Sequence, residues 1–438
     1  MPPGPRFPGL DDWLAWQQTL HPAAIELGLD RARRVLVRTG WRRPSCPVIT
    51  VGGTNGKGSC VAMLASMLQA SGRRVATFTS PHLVDYRERI RIDGTPVSVA
   101  SLVAAFERIA DSLGSDSLTF FEFNALAALL VFETAGPDAV VLEVGMGGRL
   151  DAVNLVDADA SVVVSVGLDH TEWLGCDLES IGREKAGILR RGRPAIVGMA
   201  SPPRSVLEVA EAVGAVLLLR GRDFDCAVQP EGTWRYHDAA GELDALPAPA
   251  LAGIAQIGNA ATALATLRAL KGRLPVERDA LEEGLRRVRL PGRFQRIADT
   301  RGFEWVLDVA HNPDAARTLA ANLLHCPAAG KTAAICGMLG DKDIEGVVGI
   351  LGARASRWIA ADTDGPRGML EHALATRAAS VGVTMEHGGT VAEAMELATA
   401  DAVKGDRIVV FGSFHTVGPA LEYLGQSRLD GGNPRVWL

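Results

Sequence analysis

The segment "VITVGGTNGKGSC", residues 48–60, sets Gly52, Gly53, Gly56 and Gly58 around Thr54, Asn55 and Lys57, with the hydroxyl of Ser59 following. A glycine loop between a strand and a helix offers backbone N–H groups and the positive end of a helix dipole to phosphate oxygens. Lys57 adds a mobile point charge, and Ser59, at the helix start, can ligate the magnesium ion that accompanies ATP. The common spelling of such a loop, G-x-x-x-x-G-K-[ST], puts the hydroxyl directly after the lysine, whereas here Gly58 separates Lys57 from Ser59. A plain glycine turn is the bland alternative. The lysine and four glycines between an apolar strand and an apolar helix favour phosphate, so Gly53, Thr54, Asn55, Gly56, Lys57, Gly58 and Ser59 form the expected seat.

Other candidates stand at the ends of apolar runs. Glu143 lies in "VVLEVGMGG", where a carboxylate is costly unless paired. "VVVSVGLDHTEWLG" places Asp169 and His170 just past the next strand, and "TSPH", residues 79–82, adds Ser80 after another. Each has a local alternative: a carboxylate satisfied by backbone donors, a turn histidine, a capping serine. Taken together they would project with the phosphate loop from the carboxyl edge of one sheet and supply oxygen and nitrogen ligands. In "DLESIGREKAGIL", Leu178, Ile181, Lys185 and Ile188 follow helical spacing, which puts an ammonium on an apolar stripe. Such a lysine is neutralised, paired or modified, or else it packs its stem and carries its charge out to water.

Near the middle of the chain, Gln256 and Asn259 open the helix "IAQIGNAATAL" with amides suited to a base, a phosphate or a cap. Arg293, in "LPGRF", is either a linker arginine that meets a nucleotide phosphate or a solvated charge. "VLDVAHNPDA" puts Asp308, His311 and Asn312 at a strand end before a helix, where carboxylates meet ribose hydroxyls or where a turn is simply capped. Arg87, Arg89 and Arg91 of "YRERIRIDG" alternate as on a strand and face either an anionic substrate or solvent.

The elements that must carry these residues alternate. "PVITV", the glycine loop, the helix "SCVAMLASMLQAS" and the strand "RVATFT" make one βαβ unit. Helices near 99–112 and 122–134 and the strands "AVVLEVG" and "ASVVVSVG" continue a parallel sheet. Residues 10–40 read as helical, with a second helix able to start at Pro22. Residues 222–246 break the rhythm with short alternating runs, an antiparallel flap on the first domain. Pro291 and Gly292 mark a boundary, after which "WVLDVA", "TAAICGML", "RWIAADTD" and "RIVVFGSF" begin a second α/β rhythm. The expected fold class is therefore α/β, a P-loop mononucleotide-binding parallel-sheet domain over residues 1–290 followed by a smaller Rossmann-like domain over 291–438.

Composition narrows the setting. The 438 residues are 47% hydrophobic and 22% charged, enough for two cores. A net charge of -6 without a basic stripe argues against nucleic acid as a partner. No run of 18 apolar residues occurs and the start lacks an apolar signal core, so no membrane partner is expected. Six cysteines without a C-x-x-C pair match neither a zinc site nor a disulfide scaffold, which points to the cytoplasm.

"GGTNGKGS", "TSPHL", "RERIRI", "GMGGRLDAVN", "DHTEWLG", "REKAGI", "LPGRFQ", "DVAHNP" and "GSFHTVG", in that order over residues 48–418, resemble the motifs of the Mur ligase superfamily, and within it of the bacterial bifunctional dihydrofolate synthase/folylpolyglutamate synthase family. The extra glycine of the phosphate loop is that superfamily's own variant. The resemblance implies an ATP-dependent ligase that joins L-glutamate to dihydropteroate and to reduced folates through an acyl phosphate, working as a monomer on small molecules. It implies that Ser59, Ser80, Glu143 and His170 ligate two magnesium ions and that Lys185 is carbamylated, with Lys57, Lys185 and His170 catalytic. It further implies that Asn259, Arg293, Asp308 and His311 contact ATP and that Phe121, Arg149 and Asp151 hold the pterin-bearing substrate. Val153 departs from the family, where threonine is frequent. Three rivals remain: a Mur ligase acting on cell-wall precursors, a noncatalytic nucleotide-binding module, and a methyltransferase, since "VLEVGMGG" resembles the first motif of that class although Arg149 stands in place of its third glycine.

Overall fold

The five residues VITVG form β1 (Val48–Gly52), buried at every position. A strand with no polar alternation, buried on both faces, belongs inside a parallel sheet. Its sheet also holds β2 (Val75–Phe78), β3 (Ile90–Ile92), β4 (Thr95–Pro96), β5 (Ala139–Glu143), β6 (Ala160–Val163), β7 (Pro194–Val197) and β8 (Val216–Leu219), in the order β4-β3-β2-β5-β1-β6-β7-β8. β1 pairs in parallel with β5 on one side and β6 on the other, while β3 and β4 add an antiparallel edge. Winding runs toward β2 on one side of β1 and toward β7 and β8 on the other, so the direction reverses at β1, where open α/β sheets bind ligands.

The chain is seen in a computed structural model that describes residues 4–230 and 232–425, and it divides into two compact units. The first comprises Met1–Pro81, Arg87–Ala250 and Ile257–Val288; the second comprises His82–Tyr86, Leu251–Gln256 and Arg289–Leu438. The outer ends of the expected domains, residues 1–3 and 426–438, lie outside the described residues. The flap forms a three-stranded antiparallel sheet of β9 (Phe224–Val228), β10 (Thr233–Asp238) and β11 (Gly241–Pro247), with β10 central. Trp234 and Tyr236 alternate with exposed neighbours on β10 and are fully buried, as one-sided packing demands.

In the second unit β12 (Gln295–Ala298), β13 (Glu304–Asp308), β14 (Thr332–Cys336), β15 (Arg357–Ala360), β16 (Glu386–His387) and β17 (Arg407–Phe411) run in the order β12-β13-β17-β14-β15-β16. Only β12 pairs antiparallel. Val306, Cys336, Val409 and Phe411 feed one core, and Trp305, Leu307, Ile335, Ile408 and Val410 feed another, so alternate side chains cover both faces of the sheet. The two short excursions belong here: Leu83 packs on the Trp305 core, and Ile254 donates its N–H to Asn322 Oδ1 at 2.9 Å. Gly418, in the helix Phe414–Tyr423, lies so close to the Leu83 carbonyl that a Cβ would not fit.

Three local expectations change. No helix starts at Pro22; Leu10–Thr19 is followed by a non-helical stretch and then by Asp30–Arg38. Arg87 and Arg89 sit in the 3₁₀ turn Tyr86–Arg89, and only Arg91 lies on a strand, so the three do not share a strand face. Leu178 is exposed, and the buried stripe beside it reduces to Ile181, Lys185 and Ile188.

The helix behind the phosphate loop, Lys57–Ala70, is held from outside by Arg278–Arg287. Ser66 Oγ donates to the Gly284 carbonyl at 2.7 Å, and a Cβ on Gly284 would stand 2.6 Å from the Met67 amide nitrogen. Gly284→Ala should therefore force the two helices apart and cost about 1–3 kcal/mol. Chemical unfolding with the first unit's transition followed separately checks this.

Candidate functional site

The phosphate loop leaves β1 and enters its helix at Lys57. Gly56 has φ +83°, in the left-handed region, and a Cβ there would meet Asn259 Oδ1 at 2.8 Å and Val164 at 2.9 Å. The position accepts glycine alone because Asn259 packs against the loop. Lys57 Nζ donates to the carbonyls of Gly53, at 2.9 Å, and Thr54, at 3.2 Å, which curls the lysine over its own loop. Ser59 is buried in the first turn of the helix, with Gly58 ahead of it.

The loop after β6 braces this seat. Ser165 O accepts from Thr54 N at 2.9 Å, Ser165 Oγ accepts from Asn55 N and donates to Asn55 O, both at 2.8 Å, and Gly167 N donates to Thr54 Oγ1 at 2.9 Å. The same loop continues to His170, whose φ of +52° is a left-handed position that a non-glycine residue adopts at some strain. Asp169 Oδ1 accepts the His170 N–H at 2.9 Å, fixing the residue at the start of the short helix Thr171–Leu174.

Glu143 ends β5 opposite Val51 and is only 5% exposed. Its carboxylate accepts the Ser80 N–H at 3.3 Å, which brings two of the expected ligands together. The Glu143 charge adds to burial in pushing the thiol of Cys60, the neighbour of Ser59, up to about 12. Hydroxyl and carboxylate oxygens suit a hard cation, and the imidazole of His170 would add a nitrogen. Among the described residues no group of three or more His, Cys, Asp or Glu side chains forms a metal cage. Magnesium keeps several waters and takes one or two carboxylates plus phosphates, so these residues fit a metal that arrives with a nucleotide.

Lys185 is 4% exposed on the helix Leu178–Ala186. Burial and then the Lys57 charge bring its ammonium down to about 7, against the pull of Asp169 and Asp151. The stripe anomaly is thus a buried amine within the field of the phosphate-loop lysine, rather than a charge carried out to water.

Asp151 holds the loop after β5. Its Oδ2 accepts from Gly145 N at 3.0 Å and Met146 N at 2.9 Å, and its Oδ1 from Val153 N at 3.0 Å. Burial nevertheless raises this carboxyl to about 6, with the three amides and Lys57 opposing. Phe121 covers Gly145 so closely that a Cβ there would lie 2.5 Å from the ring. Arg149 pairs with Glu184 at 2.8 Å, and its N–H donates to the Glu184 carbonyl at 2.9 Å, tying this loop to the helix of Lys185. Only the 3₁₀ turn Ala152–Leu155 separates the loop from β6, so the helix that a methyltransferase needs here does not exist.

In the second unit Asp308 accepts from Phe294 N and Ala310 N, both at 2.8 Å. Burial raises its carboxyl, opposed first by Arg293. Arg293 donates to the Gly292 carbonyl at 3.1 Å and stacks its guanidinium over Phe414 at 5.1 Å. His311 Nδ1 lies 2.8 Å from the Val309 carbonyl, and Asn312 caps the helix Pro313–His325 by accepting from Ala315 N. These three candidates therefore gather at one strand end. The alternative reading of Asn312 as a cap is the one the geometry supports.

Sequence reasoning passed over Ser165 and the partners of Asp151. The available signal was a lone serine that breaks the apolar run "VVVSVG" at a strand end.

Because the folded Asp151 carboxyl titrates near 6, above the ordinary 3.8, its contribution to stability is full below about pH 4 and is lost as pH rises through 6. Asp151→Asn keeps an acceptor but no charge. The stability of the variant minus that of the native chain should therefore rise between pH 4 and pH 7 by on the order of 3 kcal/mol. Urea unfolding across that range measures it.

Family models place the chain. The Mur ligase middle domain matches residues 51–200, and the Mur ligase glutamate ligase domain matches residues 292–414. The dihydrofolate synthase/folylpolyglutamate synthase of Escherichia coli strain K12 is 43% identical over 428 residues, covering 96% of this chain and 97% of that protein. The structure of E. coli FolC in complex with DHPP and ADP superimposes with a TM-score of 0.91 at 42% identity, covering 96% and 99% of the two chains. A bifunctional folylpolyglutamate synthase/dihydrofolate synthase with Mn, AMPPNP and L-glutamate bound gives 0.88 at 41% identity, covering 96% and 100%. With the glycine-spaced phosphate loop, Glu143 and the buried Lys185 gathered around one sheet edge, the chain belongs to the dihydrofolate synthase/folylpolyglutamate synthase family of the Mur ligase superfamily.

Proposed function

We propose that the protein is an ATP-dependent ligase that joins L-glutamate to dihydropteroate, and to reduced folates, through an acyl phosphate. The observation that carries this is the phosphate loop, whose Lys57 is held by its own carbonyls beside the buried Lys185. The relatives' structures hold ADP, AMPPNP, Mn, DHPP and L-glutamate, which supports a nucleotide, a divalent metal and both organic substrates. Family membership sets aside cell-wall precursors and methyl transfer.

On this reading residues 53–59 and Asn259 bind the nucleotide in the first domain, residues 1–290, and Arg293, Asp308 and His311 in the second, residues 291–438. Ser59, Ser80, Glu143 and His170 would hold two magnesium ions, which offset charge on the transferring phosphoryl group. A carboxylate oxygen of the pterin substrate attacks the γ-phosphorus, ADP leaves, and Lys57 stabilises the equatorial oxygens. The glutamate amine then attacks the acyl carbon, expels phosphate and loses a proton, leaving an amide. Phe121, Asp151 and Arg149 would help to hold the pterin-bearing substrate, Phe121 by its ring face and Asp151 and Arg149 by shaping the loop beside it.

A lysine brought down to about 7 holds a sizeable neutral fraction near neutral pH, and such an amine adds carbon dioxide with loss of a proton. Carbamylated Lys185 would put a negative charge where an ammonium is disfavoured. The protein would act as a monomer in the cytoplasm, for which its six free thiols are suited.

Incubation with ATP, L-glutamate and dihydropteroate should release phosphate and form the amide. Lys57→Ala should lower that rate by about 10²–10³ or more with the unfolding midpoint unchanged. Full turnover by Lys57→Ala would refute the assignment. Lys185→Met should lose activity to a similar extent, and the native enzyme should lose and regain activity as bicarbonate is removed and restored. Insensitivity to bicarbonate, with intact mass showing an unmodified lysine, would remove the carbamate.

A further inference from the structure

The triphosphate seat does not hold its own shape. Residues 53–55 form no strand or helix, and their geometry is borrowed from residues 165–167, more than a hundred positions later. β1 and β6 run side by side with Gly52 opposite Val163, so the two chains emerge together from the sheet edge. From there five hydrogen bonds join them: Thr54 N to Ser165 O, Asn55 N to Ser165 Oγ, Ser165 Oγ to Asn55 O, Gly167 N to Thr54 Oγ1, and Thr54 Oγ1 to Gly167 O at 3.1 Å. Gly53 adds a steric lock, since a Cβ there would stand 3.1 Å from Ser165 N.

Two side chains serve this brace, and Ser165 does what only a hydroxyl can. Its oxygen accepts from the N–H and donates to the carbonyl of one residue, Asn55, clamping that residue from both ends. An alanine loses both bonds, and no backbone group replaces them. The braced loop then runs on within four residues to Asp169, whose carboxylate fixes His170 and pulls on Lys185.

We propose that Ser165 is a positioning residue for the ligase reaction: its hydroxyl sets the nucleotide loop against the loop of Asp169 and His170, so that triphosphate binding and the placement of His170 are one mechanical event. The proposal rests on reading the glycine loop as the triphosphate seat. Ser165 touches no reacting atom and acts through Asn55.

Three forms are compared, the native chain, Ser165→Ala and Ser165→Thr, by ADP affinity in calorimetry, by the ATP KM and kcat for glutamate ligation, and by unfolding midpoint. With two hydrogen bonds lost, Ser165→Ala should bind ADP about tenfold more weakly and raise the ATP KM similarly. It should also lower kcat, while the KM for glutamate stays near its native value and the midpoint falls by no more than about a few degrees. Ser165→Thr, which keeps the hydroxyl, should restore ADP affinity to within about threefold of native. Native ADP affinity in Ser165→Ala would overturn the proposal. So would equal losses in both variants, because the hydroxyl would then not be the operative group, and so would a loss of affinity that simply follows a fall in midpoint. If the native chain itself neither binds ADP nor ligates glutamate, the triphosphate reading fails; if it does both and Ser165→Ala matches it, the positioning inference alone fails.

Discussion

Parallel pairing of β1 with both β5 and β6 is the constraint on which the first unit depends. Val51 lies opposite Glu143 and Gly52 opposite Val163, so three strands end at one level and release three loops at one place. The glycine loop, the carboxylate with its Ser80 partner, and the segment carrying Ser165, Asp169 and His170 are consequences of that register. Shifting any of the three strands by a residue would turn its terminal side chain to the other face and scatter the set. Apolar, doubly buried strands make such a shift costly, which is how a run as plain as VITVG comes to govern polar chemistry.

Charge at this edge is held in mutual tension. Lys57 lowers the affinity of Lys185 for its proton and partly relieves the buried carboxylate of Asp151, while Asp151 and Asp169 pull the other way on Lys185. Desolvation leads in both cases, so the two groups approach neutrality for the same reason and from opposite sides. Opposed charges of reduced strength leave Lys57, which curls over its own loop, as the ammonium that acts on both groups. The acidic balance of the whole chain makes that local positive charge more necessary for an anionic ligand.

Much of this was readable from spacing. The strand, glycine loop and helix around Lys57, Glu143 at the end of an apolar run, and Lys185 on a buried stripe all announce themselves through local pattern. What escaped depends on distant partners. Pro22 is a competent helix starter, yet residues 20–29 stay non-helical while His21 and Glu26 pair with each other, and those residues also bond Ser117 and Arg31. The arginines of "YRERIRI" alternate as letters, but the chain spends Tyr86–Arg89 in a 3₁₀ turn and only then enters its short strand. Ser165 looks like an ordinary loop residue, because its partner Asn55 lies more than a hundred positions away; Asp151 is expected at the substrate, and its bonds to the nearby amides of Gly145, Met146 and Val153 were not foreseen. Asn259 was legible as an amide at a helix start, and its seat against Gly56 was not.

The second unit is not a single stretch of sequence. His82–Tyr86 and Leu251–Gln256 belong to it, with Leu83 seated against Gly418 and Ile254 bonded to Asn322. A recombination event that exchanged everything after residue 288 with a cousin's C-terminal half would therefore import a body lacking two native patches and retain two patches fitted to a body no longer there. A graft that is to keep this body whole must therefore carry both upstream patches along with the tail, although the other unit's sequence lies between them.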